Sequence, residues 1–159
     1  MINNGKRFEK EVKDSIPPYC FYYRFKDGTA SFGGESDNVR FQASNMCDCL
    51  VFNSQTKFLW FIELKTHKGK SIPLSAIRQN QITELLKASM FKGINAGLII
   101  NFRDIEKCYW VHIQEIQLFI DGGTRKSISI DWCKEYGTEI VIIKKRTSYR
   151  LELEELFKI

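Results

Sequence analysis

Asp48-Cys49-Leu50-Val51-Phe52-Asn53-Ser54-Gln55-Thr56-Lys57-Phe58-Leu59-Trp60-Phe61-Ile62-Glu63-Leu64-Lys65 is the stretch that decides the fold. Two apolar runs, Cys47–Phe52 and Phe58–Lys65, flank the polar Asn53-Ser54-Gln55-Thr56 and predict a β-hairpin. Side chains alternate along a strand, so Glu63 and Lys65 share a face and Leu64 points the other way. With the turn centred between Gln55 and Thr56, Asp48 falls directly across from Glu63. Opposed Cβ atoms in such a pair lie roughly 4.5–5.5 Å apart. Two carboxylates at that separation repel unless a cation sits between them. Mg²⁺ suits that place, since it is hard, prefers oxygen and is commonly held by one or two carboxylates plus water and phosphate. Lys65, beside them, has the chemistry to orient a water or to neutralise charge on a phosphate under attack. Asp48, Glu63 and Lys65 are therefore the candidate catalytic group for Mg²⁺-dependent phosphodiester hydrolysis, with Asp48 and Glu63 as metal ligands and Mn²⁺ as a substitute cation. Taken alone, Asp plus Glu-x-Lys is a weak pattern.

Working outward, Asn4–Ile16 reads as a helix stopped by Pro17-Pro18, and Tyr19–Phe25 as an aromatic strand. The polar, glycine-containing Lys26–Asn38 reads as a turn or flexible excursion. After the hairpin come a loop over Lys68–Ser75, a helix capped by Ser75 and running to about Phe91, and strands at Asn95–Phe102 and Cys108–Ile113. Short helices at Gln114–Ile120 and Ile130–Tyr136, a strand at Glu139–Lys144 and a terminal helix at Leu151–Phe157 complete the order. The chain of 159 residues reads as one α/β domain, a mixed sheet flanked by helices, with the excursion at about 26–41.

The net charge of +5 is unevenly spread. Seven basic residues between Lys57 and Lys92 (Lys57, Lys65, Lys68, Lys70, Arg78, Lys87 and Lys92) face two acidic ones, Glu63 and Glu84. The remaining 17 basic and 17 acidic residues cancel. A cationic segment following the carboxylates suggests a polyanionic partner such as DNA. No apolar run spans a bilayer and the start of the chain lacks a secretory signal, so a cytoplasmic protein without membrane contact is expected. Five cysteines, an odd number without CxxC pairs, fit buried reduced thiols better than zinc ligands or disulfides. Gly69-Lys70-Ser71 lacks the earlier glycine of a phosphate-binding loop.

Asn45-Met46-Cys47-Asp48-Cys49-Leu50, Phe61-Ile62-Glu63-Leu64-Lys65-Thr66, Ser71-Ile72-Pro73-Leu74 and Asn80-Gln81-Ile82 together resemble the RecU family of Holliday junction resolvases, found in Gram-positive bacteria and their phages. Gly5-Lys6-Arg7-Phe8-Glu9 resembles the family's opening helix, and Tyr149-Arg150-Leu151-Glu152-Leu153 resembles its end more loosely. The resemblance implies a homodimer with a restriction-endonuclease-like core, acting on four-way DNA junctions. It implies that Glu9 and Gln81 join the catalytic residues, and that Thr66 and Ser71 lie near the scissile phosphate. With Lys68, Lys70 and Arg78 of the basic segment, these complete the expected DNA-binding set. The family's long stalk between its first two strands looks shorter here, about Lys26 to Phe41. For a dimer face the sequence offers Tyr19–Phe25 and the strands carrying Phe102 and Trp110. The competing readings are a restriction or repair nuclease acting on duplex DNA, and a non-catalytic DNA-binding or recombination-modulating protein.

Overall fold

A computed structural model describes residues 3–26 and 45–158. In chain order the elements are α1 (Asn4–Asp14), β1 (Cys20–Arg24), β2 (Cys49–Asn53), β3 (Leu59–His67), β4 (Ser71–Pro73), α2 (Gln79–Ser89), β5 (Ile94–Phe102), β6 (Lys107–His112), α3 (Ile113–Asp121), β7 (Ser127–Ser129), α4 (Ile130–Tyr136), β8 (Thr138–Ile140), β9 (Ile142–Lys144), β10 (Tyr149–Leu151) and α5 (Glu154–Phe157). Most of the expected excursion at about 26–41 lies outside the described residues. Its near flanks are tied together, because Asn45 Nδ2 donates to Lys26 O at 2.7 Å.

Among the described residues the central sheet has the order β1-β2-β3-β5-β6-β8. The hairpin holds: Cys49 lies opposite Ile62 and Phe52 opposite Leu59, so the turn is centred between Gln55 and Thr56. β3 and β5 run parallel over nine residue pairs, and the crossover between them carries α2, as a parallel connection requires. All the other neighbours in this sheet are antiparallel. The sheet is therefore mixed, as the sequence order of elements predicts, and its helices cover both faces.

Alternation along the strands divides the core in two. On one face Phe8 and Val12 of α1 and Leu156 and Phe157 of α5 pack against Trp60, Ile62 and Leu64. Trp60 meets Trp110 and Phe157 edge to face at 5.1 and 5.2 Å, an arrangement that aromatic quadrupoles favour. On the other face Ile82 and Leu85 of α2 and Ile113 and Ile116 of α3 cover Leu98, Ile100 and Val111.

Several expectations change. The Lys68–Ser75 loop contains β4, which pairs with β7 through Ile72 opposite Ile128. Because Leu74 N also bonds Lys126 O at 2.9 Å, the backbone there is committed to the small sheet. Ser75 therefore sits in a 3₁₀ turn, Ile77 and Arg78 stay extended, and α2 begins only at Gln79. The expected strand Glu139–Lys144 breaks at Val141, and its second half pairs with Tyr149–Leu151. That pairing shortens the terminal helix to Glu154–Phe157. Phe102 and Trp110 are fully buried and offer no dimer face, whereas Phe21 and Tyr23 on the edge strand β1 are exposed rather than core.

Gly97 shows how tightly β5 and β6 meet. A Cβ there would lie 2.2 Å from Val111 O and 3.0 Å from the Trp110 ring. Because the obstacle is backbone, Gly97→Ala should cost about 2–3 kcal/mol of stability, read as a lower urea midpoint. A midpoint equal to that of the unsubstituted chain would contradict this packing.

A carboxylate pair at the mouth of the β2–β3 hairpin

Asp48 directly precedes β2 and is held from three sides. Its N–H donates to Ile62 O at 3.2 Å and its carbonyl accepts from Phe25 N at 2.9 Å. Its Oδ2 accepts from Leu64 N at 2.7 Å. The side chain thereby takes over a ladder position on β3 where the strands begin to part. Continuing the observed register puts Asp48 across from Glu63.

Glu63 is buried, at 2% exposure. Its Oε1 lies 2.8 Å from Lys65 Nζ, while its Oε2 is buried without a hydrogen-bond partner among the described residues. Burial pushes the Glu63 carboxyl above its ordinary range and the nearby Asp48 pushes it further; the Lys65 ammonium and the Gln81 amide pull the other way. Gln81 is buried, contrary to the ordinary expectation for a polar helix residue. Its Oε1 accepts from Arg78 N at 3.4 Å, which turns its NH₂ group to favour the charged form of Glu63. Lys65 and Gln81 thus favour the charged form of this one carboxyl, and Asp48 opposes it.

The flanking cysteines are not ligands in waiting. Burial raises the Cys47 thiol to about 12 and the Cys49 thiol well above its usual value. Both remain protonated, and all five cysteines are free. Among the described residues no group of three or more His, Cys, Asp or Glu side chains gathers, so the candidate metal ligands are the two carboxylates alone. They fit a hard cation. An acidic pair with an unpartnered buried oxygen needs positive charge, and oxygen donors with open positions suit Mg²⁺.

The other expected site residues are more dispersed. Lys68 and Lys70 are exposed on the β3–β4 turn, where Gly69, at φ 86°, takes a conformation easy only for glycine. Arg78 is exposed at the N-terminus of α2, and Ser71 is half-buried opposite Ser129. Strand alternation puts Thr66 on the face away from Lys65. Among the described residues its buried Oγ1 has no partner, and neither does Oδ1 of Asn101 on β5, its register partner. Glu9 pairs with Arg24 of β1 at 2.6 Å. Sequence reading missed Glu11, a buried acid that accepts from Arg103 Nη1 and Nη2 at 2.7 and 2.9 Å and from Tyr149 N at 3.1 Å. Its signal was its spacing, three residues after Phe8 on the inward face of α1.

Residues 37–157 match the family model described as RecU, recombination protein U. The chain belongs to the RecU family. Among curated relatives, the SPbeta prophage-derived uncharacterized protein YotM of Bacillus subtilis (strain 168) is 32% identical over 170 aligned residues, covering 97% of this chain and 85% of the relative. Among solved structures, Hjc of Archaeoglobus fulgidus, a Holliday junction resolvase from an archaeal hyperthermophile, superposes with a TM-score of 0.55 at 15% identity. That match covers 85% of this chain and 95% of Hjc. The match shows the restriction-endonuclease-like fold, and RecU membership with this fold marks a resolvase-type nuclease.

Glu63→Gln tests the electrostatics apart from any activity. A carboxyl whose folded-state pKa is raised costs stability once the pH exceeds its unfolded pKa, because only the unfolded chain ionises it freely. In chelator, Glu63→Gln should therefore be more stable than the unsubstituted chain at neutral pH. The difference should close as the pH falls to about 4, near the unfolded carboxyl pKa. Urea unfolding at both pH values checks it, and a variant less stable at both would contradict the assignment.

Proposed function

We propose that this RecU-family chain is an Mg²⁺-dependent endonuclease that resolves four-way DNA junctions, with Asp48, Glu63 and Lys65 as its catalytic residues. The observation that carries the reading is the buried Glu63 carboxylate beside Asp48, one oxygen of which has no partner among the described residues, with Lys65 2.8 Å away. Asp48 and Glu63 would hold the cation, with Mn²⁺ able to substitute, and when bound it supplies Lewis acidity at the scissile phosphate. Lys65 orients the attacking water and offsets charge as the phosphate adds negative charge. Gln81, anchored by Arg78 N, positions Glu63. Glu9 joins the site from α1 if its ion pair with Arg24 opens toward the hairpin mouth. Lys68, Lys70, Ser71 and Arg78 hold the phosphate backbone on the same side, and Thr66 steadies the strand behind them.

Resolution of a nearly two-fold junction takes two cuts on opposed strands, and each such centre makes one. A symmetric homodimer follows from that requirement, with residues 1–159 as a single nuclease domain in each protomer, acting in the cytoplasm. The exposure of Phe21 and Tyr23 on strand β1 supports this strand as the dimer face.

Asp48→Asn or Glu63→Gln should slow cutting by roughly a hundredfold or more while leaving DNA affinity nearly unchanged, because affinity comes mainly from lysines and arginines. Strand-by-strand mapping of cuts on an end-labelled junction, with gel-shift affinity and a light-scattering mass, tests the whole reading. Paired, symmetric cuts by a dimer are expected. A stable monomer nicking one strand at random, or full activity in either variant, would overturn it.

A further inference from the structure

A second basic surface lies on the face of the sheet opposite the carboxylate pair. An open groove of about 370 Å³ separates α1 from the turn of the β9–β10 hairpin and is lined by Arg7, Lys10, Lys145, Thr147, Ser148 and Arg150, among others. The sequence gives no hint of it, because its cations come from the two ends of the chain and the residues outside 57–92 are neutral overall. The frame is rigid. Arg7 Nη2 donates to Thr147 O at 2.7 Å, and Lys145 N donates to Ser148 O at 2.9 Å.

The groove's two lining acids, Glu11 and Asp14, offset Arg7 and Lys10 on the α1 side, so the uncompensated positive charge comes from the β9–β10 side. Glu11 accepts from Arg103 and Tyr149 and pairs with Arg7 at 3.3 Å. Asp14 pairs with Lys10, and Glu106 with Lys144 at 2.6 Å. Lys145, Arg146 and Arg150 are exposed, and none has an acidic partner among the described residues. The lining hydroxyls and cations are the groups that commonly contact phosphodiester oxygens. The Tyr149 ring, the one aromatic in the groove, is covered by the Arg103 guanidinium at 4.6 Å. One face of that ring is thus occupied, and a single half-covered aromatic makes a poor stacking platform, so the groove suits duplex backbone better than a run of unpaired bases.

We infer that this groove holds the phosphate backbone of a second duplex arm of the same DNA molecule, away from the strand being cut. α1 and β10 belong to the face packed on Trp60 and Ile62, whereas Glu63 lies level with Leu98 on the other face. A DNA reaching both surfaces must branch or bend around the sheet. The inference rests on the nuclease reading and deepens it, since it adds a reason for preferring branched over linear DNA.

The test uses the full chain in chelator, with four-way junctions whose arms are either long or too short to pass round the sheet. Each neutralised phosphate contributes about 0.9 to the slope of log K against log salt. Lys145→Ala/Arg150→Ala should make that slope shallower by about two units on long-armed junctions and leave it unchanged on short-armed ones. The control Lys134→Ala/Lys158→Ala removes the same charge from exposed sites outside both the groove and the 57–92 segment and should leave both slopes alone. Equal slopes for the groove variant and the unsubstituted chain, or an equal loss in the control, would overturn the groove assignment. So would a groove variant that loses binding to polyglutamate and none to DNA, which would mark an acidic protein partner. Junction cutting by the unsubstituted chain, read in parallel with Mg²⁺, tests the nuclease reading separately: its absence would sink that reading, whereas unchanged slopes alone would sink only the groove.

Discussion

The cost of burying Glu63 beside Asp48 is the constraint on which the rest of the architecture depends. A carboxylate at 2% exposure, its pKa raised by its own burial and by a neighbouring acid, is expensive because folded domains are only marginally stable. The scaffold that tolerates it is correspondingly firm. β3 pairs in parallel with β5 along its whole length and antiparallel with β2 over Leu59–Ile62. Aromatic packing of Trp60 with Trp110 and Phe157 fixes the far face. The pair sits where β2 and β3 begin to separate, so a strained electrostatic arrangement is placed at the open end of a rigid element. Such a place gives a cation and a phosphate access without loosening the core.

A second buried acid, Glu11, shows the contrasting solution. It is equally enclosed, yet the Arg103 fork and the Tyr149 amide satisfy both its oxygens. That network ties α1 to the end of β5 and to β10, and it is structural in character. Glu63 keeps an oxygen without a partner among the described residues. Two buried glutamates in one small domain, one saturated and one not, separate a structural ion pair from a group whose partner comes from outside the chain.

Much of this was legible in the sequence, for identifiable reasons. The hairpin register followed from a polar four-residue turn between two apolar runs, so the pairing of Cys49 with Ile62 was fixed by local chemistry. The helix at Ile130–Tyr136 appears with the expected bounds, because Ser129 caps its start and Gly137 ends it. What was not legible depended on distant partners. Ser75 is a good cap in isolation, but the pairing of β4 with β7 holds the chain extended past it. The terminal helix lost its first turn to Tyr149–Leu151, whose pairing with Ile142–Lys144 no local pattern announces. Gln81 reads as a solvated helix residue until α2 is laid against β3, where its amide faces Glu63. The basic groove is invisible along the chain, since its cations are more than a hundred residues apart.

The central claim is that Asp48 and Glu63 together hold a divalent cation, and binding without DNA tests it most directly. Unfolding midpoints of the full chain in Mg²⁺-free and Mg²⁺-saturated buffer should differ, since a ligand at a hundred times its Kd stabilises the folded state by about 2.7 kcal/mol. The same titration on Asp48→Asn should give little or no shift, because one remaining carboxylate leaves Mg²⁺ with few protein ligands. A rise in the unsubstituted chain that disappears in the variant is the predicted result. No rise in either protein, or an equal rise in both, would contradict the account.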